Sequence, residues 1–535
     1  MKNVFLFLRT KYIILLICIG SICSCNDDIL NEVPKSFLNP DVVLVNKTGF
    51  ETSLTAIYTA IRDGFYKNDN TSQTFFAFHE GTDVNMTMDA SYKDYTVTVS
   101  PTMTQASYMW DLAYVSILPK ANMIITYADK PAAKWSDEKE KNAIVAEARF
   151  FRAYAHNMLA NLFGGVPIAD QFYSEPKLDF VRASREDVYK FAAADLEFAS
   201  QWLPEETSMD GRIVKAAADH LLSEVYISLG RYDDAIKSAS NVIESGQYKL
   251  MTERFGSTMS EPGDVFSDLS KEKNQNRSTS GNKETIWALQ IEYNVPGGGV
   301  YRATRYWNSQ YYNIKDPDGV AAMILCDSLG RPNGWTRATP YVYHGLWGNR
   351  VDMRCSNNNF RWEFYNNNPA SKYFGEKIDP KTYLGIDTMR TYYPTIRKLE
   401  GIFHDGPSSA NIYTDQYAMR LAETYLLRAE AYLKKGNKQK AAEDINVVRS
   451  RAKATLATAE EIDMDYILDE RMRELLVEEP RRLTLTRTGK LVERVRKYHT
   501  AGGGATIKDY HEFWPIPQSA IDANIEVKLE QNPGY

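Results

Sequence analysis

Helical periodicity in this chain is interrupted by one long segment, and this interruption constrains the fold more than any other feature. Apolar residues recur at three- and four-residue spacing up to about Gly246, and they do so again from Asp415. Between Met251 and about Thr414 the periodicity fades, and Asn, Gly, Pro, Tyr and Trp accumulate. The sequence therefore predicts a mainly α-helical protein with a long irregular insertion, and long irregular segments are usually functional.

The same periodicity predicts the individual helices, and one apolar run predicts a strand. The predicted helical segments are 49–65, 105–129, 137–163, 184–202, 213–245, 415–435, 438–453 and 465–479. Residues 285–291 are the clearest strand candidate, with Trp287 inside the run. The expected domains are a signal peptide (1–24), a helical part (25–250), the insertion (251–414) and a second helical part (415–535).

A short pattern occurs once in each helical part with identical internal spacing. Its members are Glu224, Tyr226, Gly230 and Ala235 in the first part, and Glu430, Tyr432, Gly436 and Ala441 in the second. Glycine permits a tight turn between two helices, and alanine lets the helices pack closely. The pattern is similar to the tetratricopeptide helix–turn–helix, so we expect two dispersed units of that kind. Generic packed helix pairs would give nearly the same architecture.

The first 25 residues have the pattern of an exported protein. Basic residues precede an apolar stretch over 12–22, which is too short to span a hydrocarbon core of ~30 Å. An aliphatic residue three positions before Cys25, with Ser24 directly before it, resembles the bacterial lipobox. That resemblance implies cleavage before Cys25 and lipid attachment to it; the alternative is an ordinary signal peptide. Asp27 and Asp28 resemble the surface-export signal of Bacteroidetes lipoproteins.

Charge and cysteine content limit the classes of partner and the cross-links. A formal charge of −6 gives no general attraction to nucleic acid or to anionic lipid. No later apolar run approaches the ~20 residues of a membrane-spanning helix. After the signal peptide and Cys25 only Cys326 and Cys355 remain, and the sequence leaves open whether they form a disulfide.

Four separate stretches resemble a single family of bacterial lipoproteins. They are 30–36 near the mature start, 146–167 around Arg149, 470–490, and 513–535 at the C-terminus. In these stretches the chain resembles the SusD/RagB family of outer-membrane nutrient-binding lipoproteins. The resemblance implies a SusD-like fold in which tetratricopeptide-like helix pairs support an irregular ligand-binding half. It also implies a lid on a SusC-like TonB-dependent transporter that captures oligosaccharides or, in the RagB branch, peptides.

Candidate ligand residues come mainly from the aromatic-rich insertion. Sugars present apolar C–H faces edged by hydroxyls, so a binding site needs flat aromatic rings beside amide, carboxylate and guanidinium groups. The candidates are Asp83, Tyr92, Tyr301, Arg302, Tyr306, Trp307, Trp335 and Trp347. The alternative is that these aromatics pin long loops to the helical core, a role we expect for Trp110, Trp287 and Trp514.

Enzyme function is not expected from the sequence. Glu470, Glu474, Glu478 and Glu479 could suggest a glycosidase, but they alternate with arginines on one helix, which is typical of an ion-paired surface. The seven histidines have no metal-ligand spacing, and no metal or cofactor is implied. We therefore expect a lipid-anchored, surface-exposed glycan-binding protein that acts with the transporter. Peptide capture and a purely structural helical scaffold are the alternatives.

Overall fold

The structure, a computed structural model, describes residues 39–66, 77–87 and 92–535. The predicted signal peptide and Cys25 lie outside the described residues. In the described ranges the protein is mainly α-helical, which confirms the predicted fold class. None of the helices in these ranges combines the length and apolar character needed to cross a membrane.

The longer helices are numbered here in chain order. They are α1 (Lys47–Tyr66), α2 (Thr104–Asp111), α3 (Leu118–Ala128), α4 (Glu138–Phe163), α5 (Arg185–Trp202), α6 (Lys215–Ser228), α7 (Tyr232–Ile243), α8 (Leu421–Lys434), α9 (Lys438–Arg451), α10 (Met464–Leu475), α11 (Arg481–Arg487) and α12 (Leu491–Tyr498). Shorter helical segments are Pro40–Val43, Tyr95–Thr98, Leu112–Ile117, Val265–Asp268, Arg277–Ser280, Ala303–Trp307, Tyr311–Asn313, Tyr341–Gly345, Met353–Cys355, Arg397–Leu399, Gly503–Thr506, Asp509–Glu512 and Gln518–Ala523.

Helix α4 lies at the centre of the main apolar core. It begins after Asp137, whose carboxylate accepts a 2.8 Å hydrogen bond from the backbone of Glu140, and it ends at Gly164, which has a φ of 75°. Phe150 packs edge-on against Trp287, with ring centroids 5.8 Å apart. The predicted core positions of Trp110, Trp287 and Trp514 are confirmed, because all three side chains are buried.

Both predicted helix–turn–helix units are present. The first is α6 with α7 and the second is α8 with α9, and the turns contain Gly230 at φ 73° and Gly436 at φ 79°. Only glycine adopts this left-handed conformation without strain. Arg428 of α8 bonds Asp444 of α9 at 2.7 Å and Ser240 of α7 at 2.8 Å. The two units are therefore adjacent in space although the insertion separates them in sequence.

The described strands form three small antiparallel sheets, and one of them corrects a predicted helix. The strands are β1 (Asn85–Thr87), β2 (Thr285–Leu289), β3 (Thr336–Ala338), β4 (Phe360–Arg361), β5 (Thr395–Ile396) and β6 (Gln416–Arg420), paired β1–β3, β2–β6 and β4–β5. The predicted helix over 415–435 is wrong in its first turn. Those residues extend to pair with β2, and the helix starts at Leu421.

The insertion has its own apolar core, distinct from that around α4. Its members share burial and aromatic or aliphatic character, and they include Tyr301, Tyr306, Trp307, Tyr343, Trp347, Phe360 and Tyr393. Met472, Leu476 and Val477 from the end of α10 complete this core. The second helical part therefore supports the insertion directly. Cys355 lies in this core and Cys326 against another cluster, and both are free thiols.

The glutamates of α10 are ion-paired as predicted, but their predicted surface location is wrong. Glu470 and Glu474 are fully buried. Arg354 of the insertion contacts Glu470 at 2.8 Å and Glu474 at 2.9 Å, and Arg420 of β6 contacts Glu474 at 2.6 Å. Arginines from other elements converge on α10 and bury its acidic face, which periodicity within one helix does not reveal.

The predicted end of this helix also differs from the structure. Periodicity predicts helix to residue 479, but α10 ends at Leu475 and Val477 has a φ of 65°. A β-branched residue rarely adopts this conformation, so the surrounding packing must hold it there. The turn places Glu478 beside Arg420 of β6, with a 2.6 Å contact, and beside Lys398 of the insertion.

Asp83 joins the early part of the chain to its C-terminal helices. Its carboxylate is fully buried and contacts Arg481 of α11 at 2.7 Å and Arg494 of α12 at 2.5 Å. Burial alone would raise the pKa of Asp83, but the two guanidinium groups outweigh this effect and lower it to about 2. The carboxylate is therefore charged at neutral pH and fixes the loop before β1.

Replacing Asp83 tests this link. In Asp83→Asn two buried guanidinium groups lose their carboxylate, so we expect the free energy of unfolding to fall by about 3–5 kcal/mol in urea titrations. Asp41→Asn is the matched control, because its pair with Lys130 is exposed; it should cost less than about 1 kcal/mol. Equal losses in the two variants would contradict the structural role of Asp83.

A second prediction concerns pH and His156 of α4. Its Nδ1 lies 2.8 Å from the carbonyl oxygen of Arg152, and its Nε2 accepts a 3.2 Å bond from the backbone N–H of Ala169. The buried ring is therefore held neutral, and burial lowers its pKa to about 4. The unfolded chain binds the proton near pH 6.5, so the stability that His156 provides above that pH is lost as the pH falls towards 4.

We therefore expect the free energy of unfolding to decrease between pH 7 and pH 4.5, with His156 contributing about 2–3 kcal/mol of the decrease. His156→Gln should remove this contribution, so that the variant's stability depends less steeply on pH. The measurement is urea unfolding of both proteins across this range. Identical pH slopes would rule out titration of His156 as a cause.

Candidate functional site

The segment 297–308 forms the floor of the candidate site. Gly297 and Gly299 have φ values of 76° and 75°, which makes the turn that precedes the segment. Tyr301 then pairs with Ile412 through two backbone hydrogen bonds of 2.9 and 3.0 Å. The short helix Ala303–Trp307 follows directly, so this part of the irregular insertion is held by backbone structure.

Trp335 and Tyr306 form a stacked aromatic pair at this floor. Their ring centroids are 5.3 Å apart and the ring planes are 21° from parallel. Tyr306 is 1% exposed, whereas Trp335 is partly exposed and packs on the edge of the insertion core. A large indole is thus held rigidly at the surface by a buried ring, which is the geometry of a stacking platform.

The backbone around Trp335 is held by its neighbours. The N–H of Asn333 donates to the carbonyl of Arg305 at 2.7 Å, and the Nε of Arg390 donates to the carbonyl of Asn333 at 3.2 Å. A Cβ on Gly334 would lie 2.6 Å from the carbonyl oxygen of Arg390. Only glycine allows this approach, which brings Arg390 against the residue directly before Trp335.

A second aromatic group adjoins the Tyr301–Ile412 pairing, because it contains Tyr413. Tyr293 stacks on His404 with centroids 4.6 Å apart, and it meets Tyr413 edge-on at 4.8 Å. Tyr293 is 39% exposed, and its two partners are also accessible to solvent. The Nε2 of His404 lies 3.0 Å from a carboxylate oxygen of Glu272, which fixes the imidazole beside the tyrosine.

Polar groups connect the second aromatic group to the floor. Asp405 accepts hydrogen bonds from the Tyr413 hydroxyl at 2.9 Å and from the Asn411 amide at 3.1 Å. Burial, together with the charge of Asp405, raises the pKa of Tyr413 to about 12, so its hydroxyl stays protonated and remains a donor. The Nε of Arg302 donates to Asn411 at 2.7 Å. Arg302 precedes the helix that carries Tyr306, so it joins the two aromatic groups.

The predicted ligand residues fall into two sets. Arg302 and Trp335 are partly exposed at this surface. The buried set comprises Tyr301, Tyr306, Trp307 and Trp347 in the insertion core, Tyr92 in the main core, and Asp83 in its ion pairs. The Nε1 of Trp347 donates to the carbonyl of Val342 at 2.6 Å, and the guanidinium of Arg482 lies 5.2 Å from the ring of Tyr92.

Sequence reasoning did not single out His404, Asp405, Asn411 or the exposed position of Tyr293. These residues come from two segments that the pairing of Tyr301 with Ile412 and the neighbouring pairing of β2 with β6 bring together. No spacing rule connects residues so far apart in the chain. The general excess of tyrosine in the insertion was the only available signal.

Two clefts of about 200 Å³ each lie elsewhere, on the two sides of segment 209–212. The aromatic rings in their walls are committed to the fold. Trp287 is 1% exposed and Tyr248 is 8% exposed, and the hydroxyl of Tyr58 is bonded to Glu147 at 2.9 Å. The ring of Tyr58 is partly exposed, but its hydroxyl is tied to the main core, so we place the candidate site at Trp335, which is stacked on Tyr306.

Comparisons with known proteins agree with this architecture. A family model described as the SusD family matches residues 265–535, and one described as starch-binding associating with outer membrane matches residues 32–227. SusD-like protein P25 of Formosa agariphila is 24% identical, with 98% of this chain and 99% of that protein aligned. Starch-binding protein SusD of Bacteroides thetaiotaomicron is 26% identical, with 73% and 72% covered.

The fold is also shared with solved structures. A laminarin binding SusD-like protein superposes with a TM-score of 0.68 at 22% identity, covering 92% of this chain and all of that one. The relatives that are named for a function are named for binding. Because the SusD family model alone spans more than half of the sequence, the chain belongs to the SusD family.

Proposed function

We propose that this protein binds oligosaccharides on the surface that contains Trp335 and the Tyr293–His404–Tyr413 group. The observation that carries the proposal is the partly exposed indole of Trp335 held against the buried ring of Tyr306. A pyranose ring has a flat apolar face. When this face stacks on the indole, it removes the exposed indole surface from water. The platform is already rigid, so little conformational entropy is lost on binding.

Hydrogen-bonding groups beside the rings match the hydroxyl rim of a sugar. Arg302 and Asn411 supply N–H donors, and Asp405 supplies carboxylate oxygens that accept. These groups already bond to one another, which orients them before a ligand arrives. Relatives named as starch-binding and laminarin-binding support a glycan as the ligand class.

The buried members of the predicted ligand set support the site in this proposal. Tyr306 backs the Trp335 platform, and Tyr301 fixes the segment from which Arg302 projects. Trp307 and Trp347 fill the core beneath. Asp83 and Tyr92 stabilise the fold at a distance in sequence, through Arg481 and Arg482.

We further propose that the protein is anchored by lipid at Cys25 and faces the medium at the outer membrane. In this position it would deliver glycans to a SusC-like TonB-dependent transporter. The lipobox and the acidic residues after Cys25 support the anchor. The family model described as associating with outer membrane supports the location. An anchored lid remains attached while its cargo is released, which suits a binding subunit of modest affinity.

Replacing Trp335 tests the site. In calorimetry with the protein lacking its first 25 residues, Trp335→Ala should weaken glycan binding at least about tenfold, which corresponds to a loss of about 1.4 kcal/mol. Phe374→Ala is the matched control, because that ring is 60% exposed in the same insertion and has no part in the proposed surface. It should bind as the parent protein does.

The same titrations decide between ligand classes. The parent protein should give heat with at least one oligosaccharide of a panel and none with oligopeptides. If no oligosaccharide binds at millimolar concentration, the glycan proposal fails. If peptides bind instead, the protein captures peptides.

Replacing Cys25 tests the anchor separately from binding. In cells fed radiolabelled palmitate, Cys25→Ala should abolish labelling of the protein and remove it from the outer-membrane fraction, because no acyl chain is then attached. Cys23→Ala is the matched control, since that cysteine precedes the proposed cleavage point, and it should leave labelling unchanged. Undiminished labelling of Cys25→Ala would exclude this residue as the lipid site.

A further inference from the structure

We propose that the ligand at Trp335 is an anionic glycan, one that bears carboxylate or sulfate groups. This inference rests on the proposed glycan-binding function and specifies its ligand class. It starts from five arginines on the segments that meet near Trp335: Arg302, Arg305, Arg331, Arg337 and Arg390. They come from three segments that are distant in sequence, so their convergence is a property of the fold.

Three of these arginines lie close to the backbone around Trp335. The carbonyl of Arg305 accepts from Asn333, and the side chain of Arg390 packs on Gly334 with a closest approach of 3.2 Å to a Cβ built there. Arg337 lies two residues after Trp335, and alternate residues of an extended segment lie on the same face. Its guanidinium lies 5.9 Å from the ring centroid of Tyr393.

These arginines lack the carboxylate partners that other arginines of the chain have. Among the described residues, no ion pair involves Arg305, Arg331, Arg337 or Arg390, whereas Arg354 alone contacts three carboxylates. The Nε atoms of Arg305 and Arg337 are shielded from solvent and have no hydrogen-bond partner. The guanidinium of Arg337 still donates to the carbonyl oxygen of Thr388, whereas among the described residues no partner bonds the side chain of Arg305. Shielded guanidinium groups are normally paired, so Arg305 indicates a partner from outside the chain.

The neighbouring arginines repel the positive charge of Arg305. Its partial burial lowers the pKa, and the charges of Arg302 and Arg331 lower it further. Two carboxylates on these segments bond to groups other than the arginines. Asp387 accepts from the backbone N–H of Met389 at 2.8 Å, and Asp405 accepts from Asn411 and Tyr413. Among the described residues, Arg305 and Arg331 therefore lie near each other without a carboxylate in ion-pair contact, in a chain whose formal charge is −6.

This arrangement matches a sugar that carries negative charge. A planar guanidinium bonds two oxygens of a carboxylate or a sulfate at once, which a neutral hydroxyl rim does not allow. Trp335 would stack on the sugar ring while the arginines around it bind the charged substituents. Carboxylate and sulfate share this chemistry, so the experiment has one arm for each.

The test compares matched glycans that differ only in charge. Oligogalacturonate is titrated against its methyl ester, and a sulfated oligosaccharide against its desulfated form, at about 20 mM and about 500 mM salt. We expect at least one anionic member to bind at least about tenfold tighter than its neutral partner at low salt. The difference should shrink at high salt, because ions screen charges that are open to solvent.

The double variant Arg305→Gln with Arg331→Gln should reduce anionic binding to the level of the neutral partner and leave neutral binding unchanged. Lys528→Gln is the matched control; it removes one exposed positive charge from a side chain that is 79% exposed and should leave binding as in the parent protein. Thermal melting of each variant checks that it is folded.

The outcomes separate this inference from the proposed function. If the neutral partners bind as tightly as the anionic ones, or if salt has no effect, the anionic inference is wrong and glycan binding stands. If neither charged nor neutral glycans bind the folded parent protein, the proposed function fails and the inference fails with it. Preference for only one anionic arm identifies the charged substituent.

Discussion

The buried carboxylates of α10 are the interaction on which the rest of the structure depends. Glu470 and Glu474 are charged and completely removed from solvent, which is tolerable only because arginines surround them. Those arginines come from the insertion, from β6 and from α9. Removal of any one element would leave a charge without its partner. The network therefore makes folding of the irregular insertion conditional on its docking against the second helical part.

The buried ion pairs of α10 also help to position the proposed ligand surface. The turn after α10 places Glu478 against Lys398 of the insertion, and Val477 of the same turn joins the insertion core with Tyr301. Tyr301 pairs with Ile412, and this pairing places Arg302 beside Asn411, next to the second aromatic group. Ion pairs and backbone hydrogen bonds therefore hold this irregular part of the chain in place.

Much of the fold follows from the sequence, but the site follows only in part. Helical periodicity predicts α4 to within a residue, because a long helix buries one stripe along its whole length. It fails at β6, where pairing with a strand far away in sequence overrides local preference. Trp307 and Trp335 lie in similar local sequence, yet one is buried and the other partly exposed. Tertiary packing alone decides that difference.

The residues that hold the insertion in place differ from those of the proposed ligand surface, and this separation explains how one fold can serve different ligands. The carboxylates that hold the insertion lie on α10. The side chains of the proposed ligand surface lie instead in the insertion, which the ion pairs of α10 hold in place. Arg305 and Arg331 contribute no ion pair to the described structure, so exchanging them changes the charge of the surface without unpairing a buried carboxylate. Relatives that share the fold at about one-fifth identity can therefore differ in ligand while keeping the same architecture. Under the proposed function, the stability of the fold and the selectivity of its surface therefore reside in separate sets of residues.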